Sequence, residues 1–293
     1  MPQTWQALTD TARRIQNAER EAGNERMHGF VFQGRAYEGL TTNALEWVAS
    51  YGSGTFVDAE GQVTVNNPQA VEALALAASW VGDISPEGVR NYMEEQARGV
   101  FQAGNAVFMR NWPYVWSLGQ ADGTPIQNKF SVAPLPSGPE GESVATLGGW
   151  NWAVSRYSDE PQAAADLVAY LTAEAQQKAH AIEFGRNPTR PALYEDEGVL
   201  AAQPFIGELY ETVMNGVPRP ASITGDAIRG SPTRSSTACT MRCPAVSRRS
   251  RRCSSWIASW RDWGGVAGSA DCSAACAFSA FRPRFLYNQG PTG

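Results

Sequence analysis

The sequence predicts an α/β fold built on a largely parallel sheet. The apolar run 106–109 has the length and composition of a buried strand, and the shorter run 30–32 is a strand or a buried loop. Amphipathic stretches with recognisable caps surround both runs, which is the order expected of strands separated by helices. Size agrees, because 293 residues bury a core without metals or disulfides. Hydrophobic residues make up 43% and charged residues 18%, a globular composition. No apolar run approaches the ~20 residues of a membrane span, and a net charge of -5 argues against generic nucleic-acid binding.

Taken in order, Thr4 is a plausible N-cap, and Trp5, Leu8, Ala12 and Ile15 form the stripe of a helix to about residue 20. Residues 40–51 read as a helix. Residues 56–65 alternate around a Glu60-Gly61 turn, which predicts a small hairpin. Asn67 caps a helix with Pro68 at its first position, where the missing N–H costs nothing. Val71, Leu74, Ala78 and Val81 are its expected inward stripe. Residues 93–102 form a short helix stopped by Gly104-Asn105. Residues 130–134 read as a strand and 134–142 as a linker. Trp150, Trp152 and Val154 alternate as a strand would. Ser158 is the expected cap of one long helix, with Asp159 and Glu160 favouring its positive end. Leu167, Val168, Leu171, Ala175 and Ile182 line that helix and Gly185 ends it. A last helical piece covers 204–214.

Composition breaks near Ala227. Residues 228–293 contain ten Arg and two Asp, with no Lys or Glu, so that stretch carries +8 and leaves -13 for residues 1–227. All five Cys lie in the stretch, which lacks helical periodicity and reads like a coding region translated out of frame. Two functional readings compete with that. Cys239, Cys243, Cys272 and Cys276 suggest a four-thiolate zinc site, but the spacing is unusual and Pro244 interrupts it. Arg248-Arg249 and Arg251-Arg252 suggest a nucleic-acid patch.

The body has no Cys nucleophile, no ligand-spaced His pair and no G-x-S-x-G, P-loop or G-x-G-x-x-G motif. Its carboxylate pairs, Glu94-Glu95 among them, read as solvated helix faces. The distinctive feature is aromatic residues beside Gly, Pro and Asn. Trp112, Tyr114 and Trp116 cluster in one turn-like segment, and Trp150 and Trp152 follow Gly148-Gly149. A pyranose offers an apolar C–H face that stacks on such rings, and a hydroxyl rim that needs polar partners. The same aromatics would equally fill a core.

Eight stretches in a fixed order favour recognition. They are TWQALTDTARRIQ, GFVFQGRAYEGLTTNALEWVASYGSG, a helix ending SW, FQAGNAVFMRNWPYVWSL, VAPLPSGPEG, LGGWNWAVSRYSDEPQAAADLVAYLT, NPTRPALY and GVPRP. Over about residues 2–225 the chain resembles the maltose/trehalose-type extracellular solute-binding proteins of ABC sugar importers. The resemblance implies a type II periplasmic-binding-protein-like fold of two lobes, one nearly complete here and the other partly present. It implies residues 1–137 in the second lobe, 138–190 as a returning segment of the first lobe with the hinge, and 191–227 as the return to the second lobe. Met1 stands directly before the helix that opens the second lobe in the family, so a truncated, binding-impaired chain is expected.

The resemblance makes Trp112 and Tyr114 stacking or hydrogen-bonding residues of an inter-lobe sugar cleft. Gly149 and Trp150 are expected as contacts from the facing lobe or hinge, and Arg219 as a hydroxyl-binding cation. Glu38 and Tyr37 are weaker candidates. Trp116 and Trp152 are expected in the core. The partners implied are a maltose-, trehalose- or glucose-like sugar and the permease subunits of an ABC importer. No cofactor, metal, nucleic acid or catalysis is implied, and a monomer outside the cytoplasmic membrane is expected. A secreted glycosidase is the alternative. It needs two carboxylates about 5–10 Å apart, and Glu38 with Asp83 or Glu94 is the pair on offer.

Overall fold

A computed structural model describes residues 1–220. The Arg- and Cys-rich stretch 228–293, with its thiols and arginine pairs, lies outside the described residues, as does the end of the expected second-lobe return. The chain opens with α1 (Trp5–Glu21), where the Thr4 hydroxyl accepts from the Ala7 N–H at 3.1 Å. Strand β1 (His28–Val31) follows, then α2 (Glu38–Ser50), α3 (Pro68–Ser79), a 3-10 turn (Glu87–Asn91), α4 (Glu94–Gln102) and strand β2 (Ala106–Met109). The strands pair in parallel, with His28 opposite Ala106 and Phe30 opposite Phe108. A parallel pair requires a crossover, supplied here by α2, α3 and α4. Among the described residues the sheet has these two strands. Residues 30–32 are therefore strand as far as Val31.

The main core lies between α1, β1, α2 and α3. Trp5, Phe30, Phe32, Trp47 and Trp80 pack there, with Phe30 edge-on to Trp80 at 5.3 Å and Phe32 edge-on to Trp47 at 5.4 Å. Edge-to-face packing suits ring quadrupoles. The polar edges of two indoles are satisfied, Trp5 Nε1 by Ser50 Oγ and Trp80 Nε1 by Thr9 Oγ1, each at 2.8 Å. Gly29 lets β1 press against α1, since a Cβ there would meet that of Ala12 at 2.9 Å.

Asn67 caps α3 as expected, accepting from the Ala70 N–H at 2.9 Å. The inward stripe differs from expectation. Ala70, Ala73, Ala77 and Trp80 are buried, Val71, Leu74 and Val81 are half-buried, and Ala78 is exposed. Alanines let α3 approach α2 closely, because helix separation follows side-chain size at the contact, and the bulkier residues flank them. The 56–65 hairpin reduces to one antiparallel bridge, Val57 with Val63, with Asp58 Oδ1 accepting from Glu60 and Gln62 across the turn.

After β2 the aromatic segment enters a short helix, α5 (Val115–Gly119). Residues 130–134 are irregular, because Phe130 packs against Trp116 at 5.0 Å and Phe101 at 5.7 Å rather than joining a sheet. Residues 148–157 are also not a strand. No described neighbour pairs with their backbone, and a strand persists only where its N–H and C=O groups are met. Trp152, expected in the core, is consequently exposed, as is Val154.

The expected long helix is two: α6 (Pro161–Leu171) and α7 (Glu174–Phe184), separated by an extended Ala173. Ser158 does not cap it. Its hydroxyl accepts from Glu160, which itself occupies the cap position. Leu167 and Ala175 are exposed, and α6 has no buried residue. Gly185 ends α7 in the left-handed conformation at φ 61. A 3-10 turn (Pro191–Tyr194) leads to α8 (Glu197–Ala202), and the last helical piece is again two, α9 (Pro204–Glu208) and α10 (Tyr210–Met214). Ala181, Tyr194, Val199, Phe205, Ile206 and Leu209 form a second core. Trp116 joins it against Phe205 at 5.2 Å, in keeping with its expected core role. No described helix is long and apolar enough to cross a membrane.

Two outcomes follow. Trp80→Ala removes the ring on which four other aromatics converge, and chemical denaturation should show a loss of about 3–5 kcal/mol. Burial pushes the Tyr194 phenol from 10.0 to about 12. A raised folded value means that its contribution is intact below pH 10 and lost as pH rises toward 12. Tyr37 and Tyr114 are raised in the same direction. Denaturation midpoints should therefore fall across that alkaline window, and less steeply in Tyr194→Phe.

Candidate functional site

The site grows from the end of β2. Arg110 continues the strand, donating its N–H to Val31 O at 3.0 Å, and its guanidinium turns inward onto Glu46 of α2 through two contacts of 2.8 and 2.5 Å. Both side chains are buried. Arg110 also donates to Gln33 Oε1 at 3.1 Å, and Gln33 Nε2 returns to Arg110 O at 3.0 Å. Glu46 Oε1 accepts from the Thr146 N–H at 3.2 Å, while Thr146 Oγ1 donates to Thr42 O at 3.1 Å. Thr146 is bridged in turn to Val217. A buried ion pair is tolerated when its remaining donors and acceptors are met, and here they tie β1, β2 and α2 to the stretch around Thr146.

Two residues on, the same guanidinium lies 4.5 Å from the centroid of the Trp112 ring, a cation–π contact. Asn111 folds the chain back toward α4 by donating to Glu94 O at 3.0 Å and accepting from the Trp112 N–H at 2.8 Å. Trp112 Nε1 then points at Glu94 Oε1, 3.4 Å away, and the Tyr114 hydroxyl donates to Glu95 Oε1 at 2.6 Å. Gln96 completes the start of α4 by accepting from the Met93 N–H at 3.0 Å.

Tyr37 joins this group. Burial first, then the neighbouring Glu94 carboxylate, hold its phenol far above the usual range. The hydroxyl is enclosed beside Glu94 without a hydrogen bond of ordinary geometry. Tyr114 is raised for the same two reasons, burial and then Glu95. Glu95 moves the opposite way, held below the usual carboxylate range by Arg98 and then by Tyr114.

The structure thus brings Tyr37, Trp112 and Tyr114 together. It adds Glu94 and Glu95, which sequence reasoning assigned to a solvated face. The missed signal was their place in the first turn of α4, to which the Asn111 turn brings Trp112 and Tyr114. Glu38 and Arg219 form an ion pair with each other beside Tyr37, and partial burial weighs against the Arg219 charge. Gly149 has open space around it and Trp150 is fully exposed. The constrained glycine is Gly148, where a Cβ would sit 2.5 Å from Trp112 Cη2. Asp83, named for the glycosidase alternative, is engaged by Arg13 at 2.6 Å on α1. No group of three or more His, Cys, Asp or Glu side chains among the described residues is placed to hold a metal ion. A separate open groove of about 590 Å³ lies between Trp116, Phe130 and Gln203, against the second core.

This arrangement is an aromatic and acidic surface fit for a small polar ligand, on the type II solute-binding fold. The chain belongs to the bacterial extracellular solute-binding proteins, whose family model matches residues 2–178. It is 51% identical over 224 residues to a probable ABC transporter-binding protein of Deinococcus radiodurans, covering 76% of this chain and 53% of that protein. It is 28% identical over 135 residues to the maltodextrin-binding protein MdxE of Bacillus subtilis, covering 45% of this chain and 31% of that one. Among solved structures, maltose-bound T. maritima MalE3 matches with a TM-score of 0.73 and 42% identity, covering 82% of this chain and 59% of that one. The chain thus spans about half the length of the Deinococcus relative and a third of MdxE. None of these three relatives is named as a glycosidase.

The buried pair makes a specific demand. Arg110→Met strands the Glu46 carboxylate and should cost about 3–5 kcal/mol by denaturant titration. Replacing both partners, with Arg110→Met and Glu46→Leu, should recover much of that loss, because the orphaned charge is gone.

Proposed function

We propose that the protein is the carbohydrate-binding component of an ABC sugar importer, working outside the cytoplasmic membrane and handing a mono- or oligosaccharide to permease subunits. The observation that carries this reading is the meeting of Trp112 and Tyr114 with Glu94 and Glu95 on one surface. Ring faces take the C–H face of a pyranose and carboxylates take its hydroxyl donors. Tyr37 and the Glu38–Arg219 pair border that surface, and Gly148 packs against the Trp112 ring. In this reading residues 1–137 belong to the second lobe, 138–190 to a returning segment of the first lobe with the hinge, and 191–227 to the second lobe again. Ligand closes the lobes by hinge motion, no bond is broken, and the protein acts as a monomer. Maltose, trehalose and glucose are the sugars to try, since MalE3 is described with maltose bound.

A sugar held on this wall alone keeps much of its rim in water, so the affinity expected of the present chain is weak, around 1 mM (about -4 kcal/mol). Titration calorimetry and tryptophan quenching with the three sugars provide the test. Saturable binding that disappears in Trp112→Ala and weakens at least tenfold in Tyr114→Ala is the expected result. No response to any sugar, or a response untouched by either change, would reject the site. Sub-micromolar binding would reject the weak-affinity expectation while leaving the site standing.

A further inference from the structure

Glu94 and Glu95 are adjacent, yet each meets a different aromatic donor. Glu94 Oε1 receives the indole N–H of Trp112 at 3.4 Å, and Glu95 Oε1 receives the phenol O–H of Tyr114 at 2.6 Å. Neither ring has a second donor of its own. Arg110 supports Trp112 through its π system, which leaves the indole N–H to Glu94. Arg98 fixes Glu95 from the other side, donating Nε at 2.9 Å and Nη2 at 2.5 Å. The start of α4 is itself pinned by Gln96 and by Asn111.

We infer that Glu94 and Glu95 are positioning residues, which hold Trp112 and Tyr114 by their polar edges so that both rings meet a ligand through their faces alone. This rests on the sugar-binding reading but concerns the rings themselves. With the N–H and O–H already committed, neither ring offers a donor to a ligand. The lone pairs left on the two carboxylates are acceptors. Ligands rich in hydroxyl donors are therefore favoured over ligands whose polar groups are acceptors only, such as fully O-methylated sugars. The Tyr114 phenol is raised first by burial and then by Glu95, and the second cause fits the same picture, because a phenol donating to a carboxylate resists losing its proton.

The experiment uses the full chain labelled with 5-fluorotryptophan, with the Trp112 resonance assigned by its loss in Trp112→Phe. Glu94→Ala removes the acceptor, and Glu94→Gln keeps a carbonyl oxygen able to accept the indole N–H. Without any sugar, Glu94→Ala should move or broaden the Trp112 fluorine signal, and Glu94→Gln should restore it. Tyr114 ionisation, followed at 295 nm as the difference from Tyr114→Phe, should fall toward ordinary phenol values in Glu95→Ala. Far-ultraviolet circular dichroism checks that each variant keeps its helices. In maltose titrations each alanine variant should bind about fivefold more weakly, the worth of one net hydrogen bond, and each glutamine variant should lie closer to the parent. An unmoved Trp112 signal and an unmoved Tyr114 ionisation in the alanine variants would overturn the proposal. A Glu94→Gln variant whose Trp112 signal stays as displaced as in Glu94→Ala would also overturn it, since the indole N–H would then not be what Glu94 holds. A parent chain that binds no sugar rejects the function reading and leaves the two spectroscopic results to decide this one.

Discussion

Arg110 and Glu46 place a charge pair inside the protein, and most of the site's geometry is a consequence of satisfying it. A guanidinium has five donors and a carboxylate accepts at two oxygens. Burying them obliges the surroundings to provide partners, and those partners come from different parts of the chain. Gln33 follows β1, Glu46 lies on α2, Arg110 follows β2, and Thr146 lies a hundred residues beyond Glu46 in an irregular stretch. The pair therefore acts as a register mark. If β1 and β2 slipped by one residue, Arg110 would leave Glu46 and both charges would be stranded at a cost no nearby contact offsets. The Arg110 guanidinium that answers Glu46 also supports the Trp112 ring.

The electrostatics of the site follow from that arrangement. The Arg110 charge is consumed internally, that of Arg219 by Glu38 and that of Arg98 by Glu95, while the Glu94 and Glu95 carboxylates bring acceptors to the site. Two phenols beside them stay protonated under ordinary conditions, raised first by burial and then by those carboxylates. The surface is acceptor-rich and aromatic, in keeping with membership of the solute-binding family.

Much of the fold was legible because local signals and tertiary packing agree. The Thr4 and Asn67 caps, the Gly185 stop and the 106–109 strand are set by backbone chemistry that a sequence displays. Trp112 and Tyr114 were legible as a pair through their neighbours in the chain. What could not be read depends on who packs against whom. The α3 stripe shifted by one residue because close approach to α2 selects alanine over bulk. Trp150 and Trp152 alternate like strand residues, but alternation specifies a strand only where a neighbour exists to pair with. Glu94 and Glu95 look like any exposed pair until the Asn111 turn places two ring donors over them.

Helix α6 has no buried residue, and Leu167 and Tyr170 face solvent on it. Stability is distributed unevenly when one segment contributes little to the shared core, and such a segment opens on its own. Its amide protons are those expected to exchange with solvent first, well before the ones between β1 and β2. Local opening of α6 therefore precedes loss of the aromatic core around Trp80.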